Sequence, residues 1–137
     1  MKSFFLDTNV IIDFLADRKP FAEAAGHLFS FALEKKLKIY CSAISFINIY
    51  YLMRQTNTHS TTVGLLDEIF EMTEIISVGE KIMSQSLKSD FRDFEDAIQY
   101  YCAQSIVGMD SIITRNTKDF KKSRLPVLSP SEALALF

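Results

Sequence analysis

The sequence predicts a three-layer α/β/α domain on a mainly parallel central sheet of about five short strands. Short apolar runs alternate along the chain with stretches whose apolar residues recur at helical spacing, as strands feeding crossover helices do. No repeat, linker or break in composition interrupts that alternation, and 137 residues suit one domain over positions 1–137. Nearly half the residues are apolar, with 12 Phe and no Trp, which is material for a proper core.

Residues 3–6 read as a short buried strand, followed by a helix from Val10 to Ala16 opened by Thr8 or Asn9. Pro20 starts a second helix over 21–36, where Phe21, Ala25, Leu28, Phe29, Ala32 and Leu33 share one face. The second strand is 38–42, and Ser42 or Ser45 caps a helix reaching about Gln55. A polar loop, 56–62, leads to a helix over 61–72 that carries Gly64 in its interior at some cost. Residues 74–78 form a third strand, and helices follow over 80–89 and 93–106, the latter with Phe94, Ala97, Ile98 and Tyr101 as its core stripe. The fourth strand is 111–114, and 125–129 is a fifth that Pro126 confines to an edge. Ser129, Pro130 and Glu132 supply the cap, first-turn proline and capping-box acid of a closing helix.

Charge and cysteine content exclude several classes. With 15 basic and 17 acidic residues the formal charge is −2, so the balance does not announce a nucleic-acid binder, although a local basic patch still binds phosphates. Cys41 and Cys102 lie far apart in apolar surroundings and read as buried free thiols. Asp7 breaks the first apolar stretch before it reaches signal-peptide length, and no run approaches a membrane span. A soluble cytoplasmic protein is the expectation.

In open α/β sheets, sites form beyond the carboxyl ends of the strands. The polar residues at those ends are Asp7, Thr8 and Asn9 after the first strand, and Ser42, Ser45 and Asn48 after the second. Asp93, Glu95 and Asp96 open the helix at 93–106, and Thr114, Asn116 and Asp119 follow the fourth strand. Carboxylates from three separate stretches thus face one sheet edge, where a cation is needed to offset their repulsion. Oxygen donors without His or Cys suit Mg²⁺ or Mn²⁺ rather than Zn²⁺. Taken singly these residues are ambiguous: Asp7 also fits a strand-to-helix turn, Asp93 an N-cap, Glu95 a helix dipole and Asp96 a solvated face.

Three stretches, "FLDTNVIIDFL", "DFEDAIQYYCA" and "IITRNTKDF" before "PVLSPSEAL", occur in an order that resembles the PIN-domain family of metal-dependent ribonucleases, especially the VapC-type toxins of bacterial toxin–antitoxin systems. The resemblance covers essentially the whole chain. It implies that Asp7 and Asp96 hold a Mg²⁺ or Mn²⁺ ion, and that Thr114 steadies the first aspartate or the attacking water. The fourth acid falls within "TRNTKDF", where Asn116 is an amide and Asp119 the nearby carboxylate. The family's second acid, a glutamate early in the helix after the second strand, corresponds here to Asn48. An asparagine there brings oxygen but no charge. The resemblance further implies an RNA substrate, a small antitoxin partner and a homodimer.

Between 115 and 124 stand Arg115, Lys118, Lys121, Lys122 and Arg124, five of the chain's 15 basic residues, which read either as a solvated loop or as phosphate contacts for RNA. Tyr50, Tyr51, Tyr100 and Tyr101 are either core or base-stacking residues. The amides Asn48 and Asn116 also motivate a different class of function, a weakened or inactive PIN-fold protein that binds RNA or a partner. Other aspartate-centred enzymes fit less well: a dehalogenase-like phosphatase needs D-x-D where Asp7, Thr8 and Asn9 stand, and none of the four glycines sits in a P-loop.

Overall fold

Phe4, Phe5 and Leu6 are consecutive and all fully buried, which a strand permits only when both its faces are covered. In the computed structural model, which describes residues 1–137, they belong to β1 (Lys2–Leu6) at the centre of the sheet. Successive side chains point to opposite faces. Phe4 and Leu6 join one apolar cluster, with Leu28, Phe29 and Ile49, while Phe5 joins a second, with Ile82, Ile98 and Cys102. The two clusters are the two halves of the core, one on each side of the sheet.

The remaining elements are α1 (Thr8–Leu15), α2 (Ala22–Leu33), β2 (Leu37–Ser42), α3 (Ala43–Met53), α4 (His59–Met72), β3 (Glu74–Ile76) and α5 (Glu80–Leu87). They continue with α6 (Phe94–Gln104), β4 (Ser111–Ile113), a 3-10 turn (Thr117–Phe120), β5 (Val127–Leu128) and α7 (Pro130–Leu134). The strands lie in the order β3-β2-β1-β4-β5 and every pairing is parallel. Phe4 pairs with Ile39 on β2 and Phe5 with Ile112 on β4. The three-layer parallel architecture is the expected one, with β5 at an edge. The expected capping box at Ser129 and Glu132 is also present. No helix is long and apolar enough to cross a membrane.

The differences from expectation have local causes. The cap of α1 is Asp7, not Thr8 or Asn9, because the backbone stays extended through position 7 and turns helical at Thr8. α2 is shorter than 21–36. Phe21 stays outside it, and the helix ends before Lys35, whose φ of 59° is left-handed. The N–H groups of Lys36 and Lys35 bond back to the carbonyls of Phe31 and Ala32, a Schellman stop with lysine where glycine is usual. Leu33, expected on the core face, is exposed. α4 begins at His59 rather than 61 because the Thr58 side chain accepts the Thr61 N–H. The core stripe of α6 is also different: Phe94 is exposed, whereas Gln99, Tyr100, Cys102 and Ala103 are buried. This helix packs against α5, β2 and the 3-10 turn at once, so its buried surface is wider than one stripe.

Candidate metal centre

β1 runs apolar up to Leu6 and then delivers Asp7 to the carboxyl edge of the sheet, where its N–H bonds the carbonyl of Ile113 on β4. The Asp7 carboxylate is buried, at 8% exposure. One oxygen, Oδ1, accepts the N–H of Thr8 at 2.8 Å; the other accepts the Thr114 hydroxyl, also at 2.8 Å. Thr114 Oγ1 in turn accepts Nδ2 of Asn9 and the backbone N–H of Asn116, at 3.3 and 3.1 Å. Asp7 is thus a helix cap whose carboxylate also borders a cavity. Its role as helix cap orients one oxygen and leaves the other to the loop after β4.

α6 brings the second group of acids. Asp93 is its N-cap, accepting the Asp96 N–H at 2.9 Å. Glu95 and Asp96, both half-buried, occupy the first turn. A cavity of about 450 Å³ is bordered by Asp7, Asn48, Glu95, Asp96 and Asn116. An adjoining cavity of about 440 Å³ takes in Asp96 again, with Asp119, Arg92, Lys118, Lys121 and Lys122. The structure therefore collects Asp7, Asp96, Asn48 and Asn116 around one space, places Asp119 with Asp96 on the adjoining one, and keeps Thr114 buried as a support for Asp7. Glu95 is the residue whose place the sequence left unassigned. Its first-turn position read as a dipole effect, and the signal pointing further, its adjacency to Asp96, has meaning only once the facing helix is known.

Burial raises the pKa of Asp7, opposed by the Thr114 hydroxyl and the Thr8 N–H and reinforced by the charges of Glu95 and Asp119. Asp96 is pushed up to about 7, chiefly by burial and then by the negative charges of Asp93, Asp7, Asp119 and Glu95. Such a donor set, all oxygen and held together against its own repulsion, fits a hard divalent cation. No three of the acids converge on one point as the side chains stand.

Of the expected phosphate contacts, Lys118, Lys121 and Lys122 are exposed around the second cavity, joined there by Arg92. Arg115 departs from that expectation. Its guanidinium holds the buried Asp13 through Nε and Nη2, at 2.6 and 3.2 Å, and lies 4.1 Å from the centre of the Phe21 ring. It is a brace between α1 and the loop after β4. Among the tyrosines, Tyr51 borders the acidic cavity and Tyr100 is core.

Below the acids lies a buried polar knot. Thr8 Oγ1 and Ser45 Oγ share a hydrogen bond of 2.7 Å, and Gln99 Nε2 donates to both, at 3.0 and 3.1 Å. Each residue comes from a different site-bearing helix, α1, α3 or α6. The knot fixes those helices to one another without contributing charge.

Fold and site together define a parallel α/β protein with an all-oxygen acidic centre at the carboxyl edge of its sheet. Residues 3–118 match the family model of the PIN domain, and the chain belongs to the PIN-domain family. Ribonuclease VapC1 of Aquifex aeolicus is 24% identical over 133 residues, covering 93% of this chain and 90% of that protein. The fold is similar to a toxin–antitoxin complex from Klebsiella pneumoniae, at 27% identity and TM-score 0.64 over 92% of this chain and 96% of the other. It is also similar to DNA-bound VapBC from Salmonella typhimurium, at 17% identity and TM-score 0.70 over 95% and 99%.

Proposed function

We propose that this protein is a Mg²⁺- or Mn²⁺-dependent endoribonuclease that cleaves RNA phosphodiesters, acting as the toxin of a toxin–antitoxin pair. The observation that carries the reading is the meeting of Asp7 and Asp96, from opposite halves of the chain, on one acidic cavity beside a rim of lysines. The names of the VapC1 relative and of the toxin–antitoxin complexes among its structural neighbours support it.

In this reading Asp7, Asp96 and Asp119 hold the ion. A bound divalent cation supplies an activated water and offsets charge developing on the phosphoryl group. Thr114 keeps the Asp7 carboxylate turned toward the cavity through its hydroxyl. Asn48 and Asn116 offer amide groups to orient the attacking water. Lys118, Lys121 and Lys122 position the strand through its phosphates, without reading sequence. A small antitoxin that occludes the cleft, and a homodimeric toxin, complete the proposal.

The test is cleavage of a panel of RNAs with and without Mn²⁺, using Asp7→Asn, which keeps the side chain's shape. Cleavage should need the ion and should fall at least about 100-fold in the variant, the scale on which loss of one charge-stabilising group acts. Metal-independent cleavage, or full activity of Asp7→Asn, would sink the mechanism. A second reading, a PIN-fold binder of RNA or a partner without catalysis, is favoured by the amide at position 48. Calorimetry with Mn²⁺ separates the two, since the binder would take up no ion at millimolar concentration.

A further inference from the structure

Asn48 leaves a carboxylate missing from α3, and the structure sets another carboxylate against it. Nδ2 of Asn48 donates a hydrogen bond to Oε1 of Glu95 across the gap between α3 and α6. Both residues border the cavity that holds Asp7 and Asp96. Consecutive residues on a helix point about 100° apart, yet Glu95 and Asp96 border the same space. The Asn48 amide is the contact that holds Glu95 there.

We propose that Glu95, held by the Asn48 amide, supplies the fourth carboxylate of the metal centre, so that the charge expected on α3 is carried by α6. This rests on the metal-dependent reading given above.

The chemistry of the pair favours relocation over loss. A glutamate at 48 would set two carboxylates against each other at this spot, whereas asparagine offers the N–H donor that a carboxylate accepts. A glutamate that served only the helix dipole would need no partner across the cleft, and Glu95 has one 47 residues away. The residues bordering the cavity include the carboxylates Asp7, Glu95 and Asp96 and a single basic side chain, Arg18. That excess of negative charge is what a divalent cation offsets. Asn48 is then a positioning residue, and its spare carbonyl oxygen remains available to water.

Calorimetric titration of the intact protein with Mn²⁺, free of RNA, tests this without any measurement of cleavage. Glu95→Gln should weaken Mn²⁺ binding by about 10-fold or more, Asn48→Ala by a smaller factor, and the double variant Asn48→Glu/Glu95→Gln should return to within about threefold of the native value, on the scale known for residues supporting a metal site. Asp7→Asn serves as the reference, and thermal melting by circular dichroism confirms that each variant is folded. If Glu95→Gln binds Mn²⁺ like the native protein while Asp7→Asn does not, the metal centre stands and the role of Glu95 falls. If Glu95→Gln binds weakly and the double variant is no better, the relocation from α3 is overturned. Absence of Mn²⁺ binding by the native protein overturns both readings together.

Discussion

Asp96 keeps its proton up to about pH 7, whereas an aspartate in an unfolded chain loses it near 3.9. Between those values the unfolded state binds fewer protons than the folded one, so stability falls as pH rises through the window. Asp7 is shifted in the same direction. Without divalent cation the melting temperature should therefore drop from pH 5 to pH 8, and Mn²⁺ should raise it more at pH 8 than at pH 5, where protons compete for the carboxylates. Differential scanning fluorimetry at a series of pH values checks this; a melting temperature that climbs with pH in the absence of metal would contradict it. The cysteines are a simpler case. Burial pushes Cys41 up to about 11 and Cys102 up to about 12, so neither forms thiolate at neutral pH. Both should react with a thiol reagent such as DTNB only as fast as the protein unfolds, and stoichiometrically in denaturant. The thiols were readable from their apolar surroundings, whereas Asp7 and Asp96 were ambiguous singly and drew their expected roles from the motifs around them. The partnership of Asn48 with Glu95 was not readable, since it joins residues 47 positions apart through a contact that neither local pattern implies.

Helices and strands were legible wherever side-chain period and capping chemistry agreed, as at α7, where Ser129, Pro130 and Glu132 stand in the expected roles. They were misread where long-range contacts decide. Phe21 looked like the first core residue of α2, yet it lies outside that helix and under the guanidinium of Arg115. Arg115 was read by its charge as a phosphate contact, but its partner Asp13 is 1% exposed on α1, more than 100 residues away. Breaking that brace from one side leaves a buried charge alone. Arg115→Ala should cost about 3 kcal/mol, measured as a shift in the urea midpoint, while Arg115→Ala/Asp13→Asn should recover part of the loss. An Arg115→Ala protein of native stability would show that Asp13 finds water instead.

For the molecule as a whole, the even charge balance hides a local concentration of charges of both signs. Four carboxylates, Asp7, Glu95, Asp96 and Asp119, adjoin a rim of Arg92, Lys118, Lys121 and Lys122. A net charge of −2 averages these away, so composition alone gave no sign of either group. RNA binding in Ca²⁺ should weaken as salt rises, with a log–log slope that becomes shallower by about 2 when Lys118, Lys121 and Lys122 are all replaced by alanine. Fluorescence anisotropy at several KCl concentrations measures it, and an unchanged slope would remove the lysines from the RNA path. The sheet order was the least readable feature of all. Parallel pairing follows from the alternation of strands and helices, but nothing local says that β1 lies between β2 and β4.

That placement bears on the order in which the chain can assemble. The Thr114 hydroxyl that steadies Asp7 is 107 residues downstream of it, and β1 gains its second neighbour only once β4 exists. On the ribosome Asp7 is made 107 residues ahead of the threonine that supports it. Pairings of such long separation are slow to form and close late in folding. A nascent chain that has not reached β4 therefore carries Asp7, Glu95 and Asp96 without the strand that flanks the first of them, and without Asp119. A stop ahead of β4 removes Thr114, Asn116 and Asp119 together with the strand that flanks β1, so the fragment cannot gather the acidic cavity.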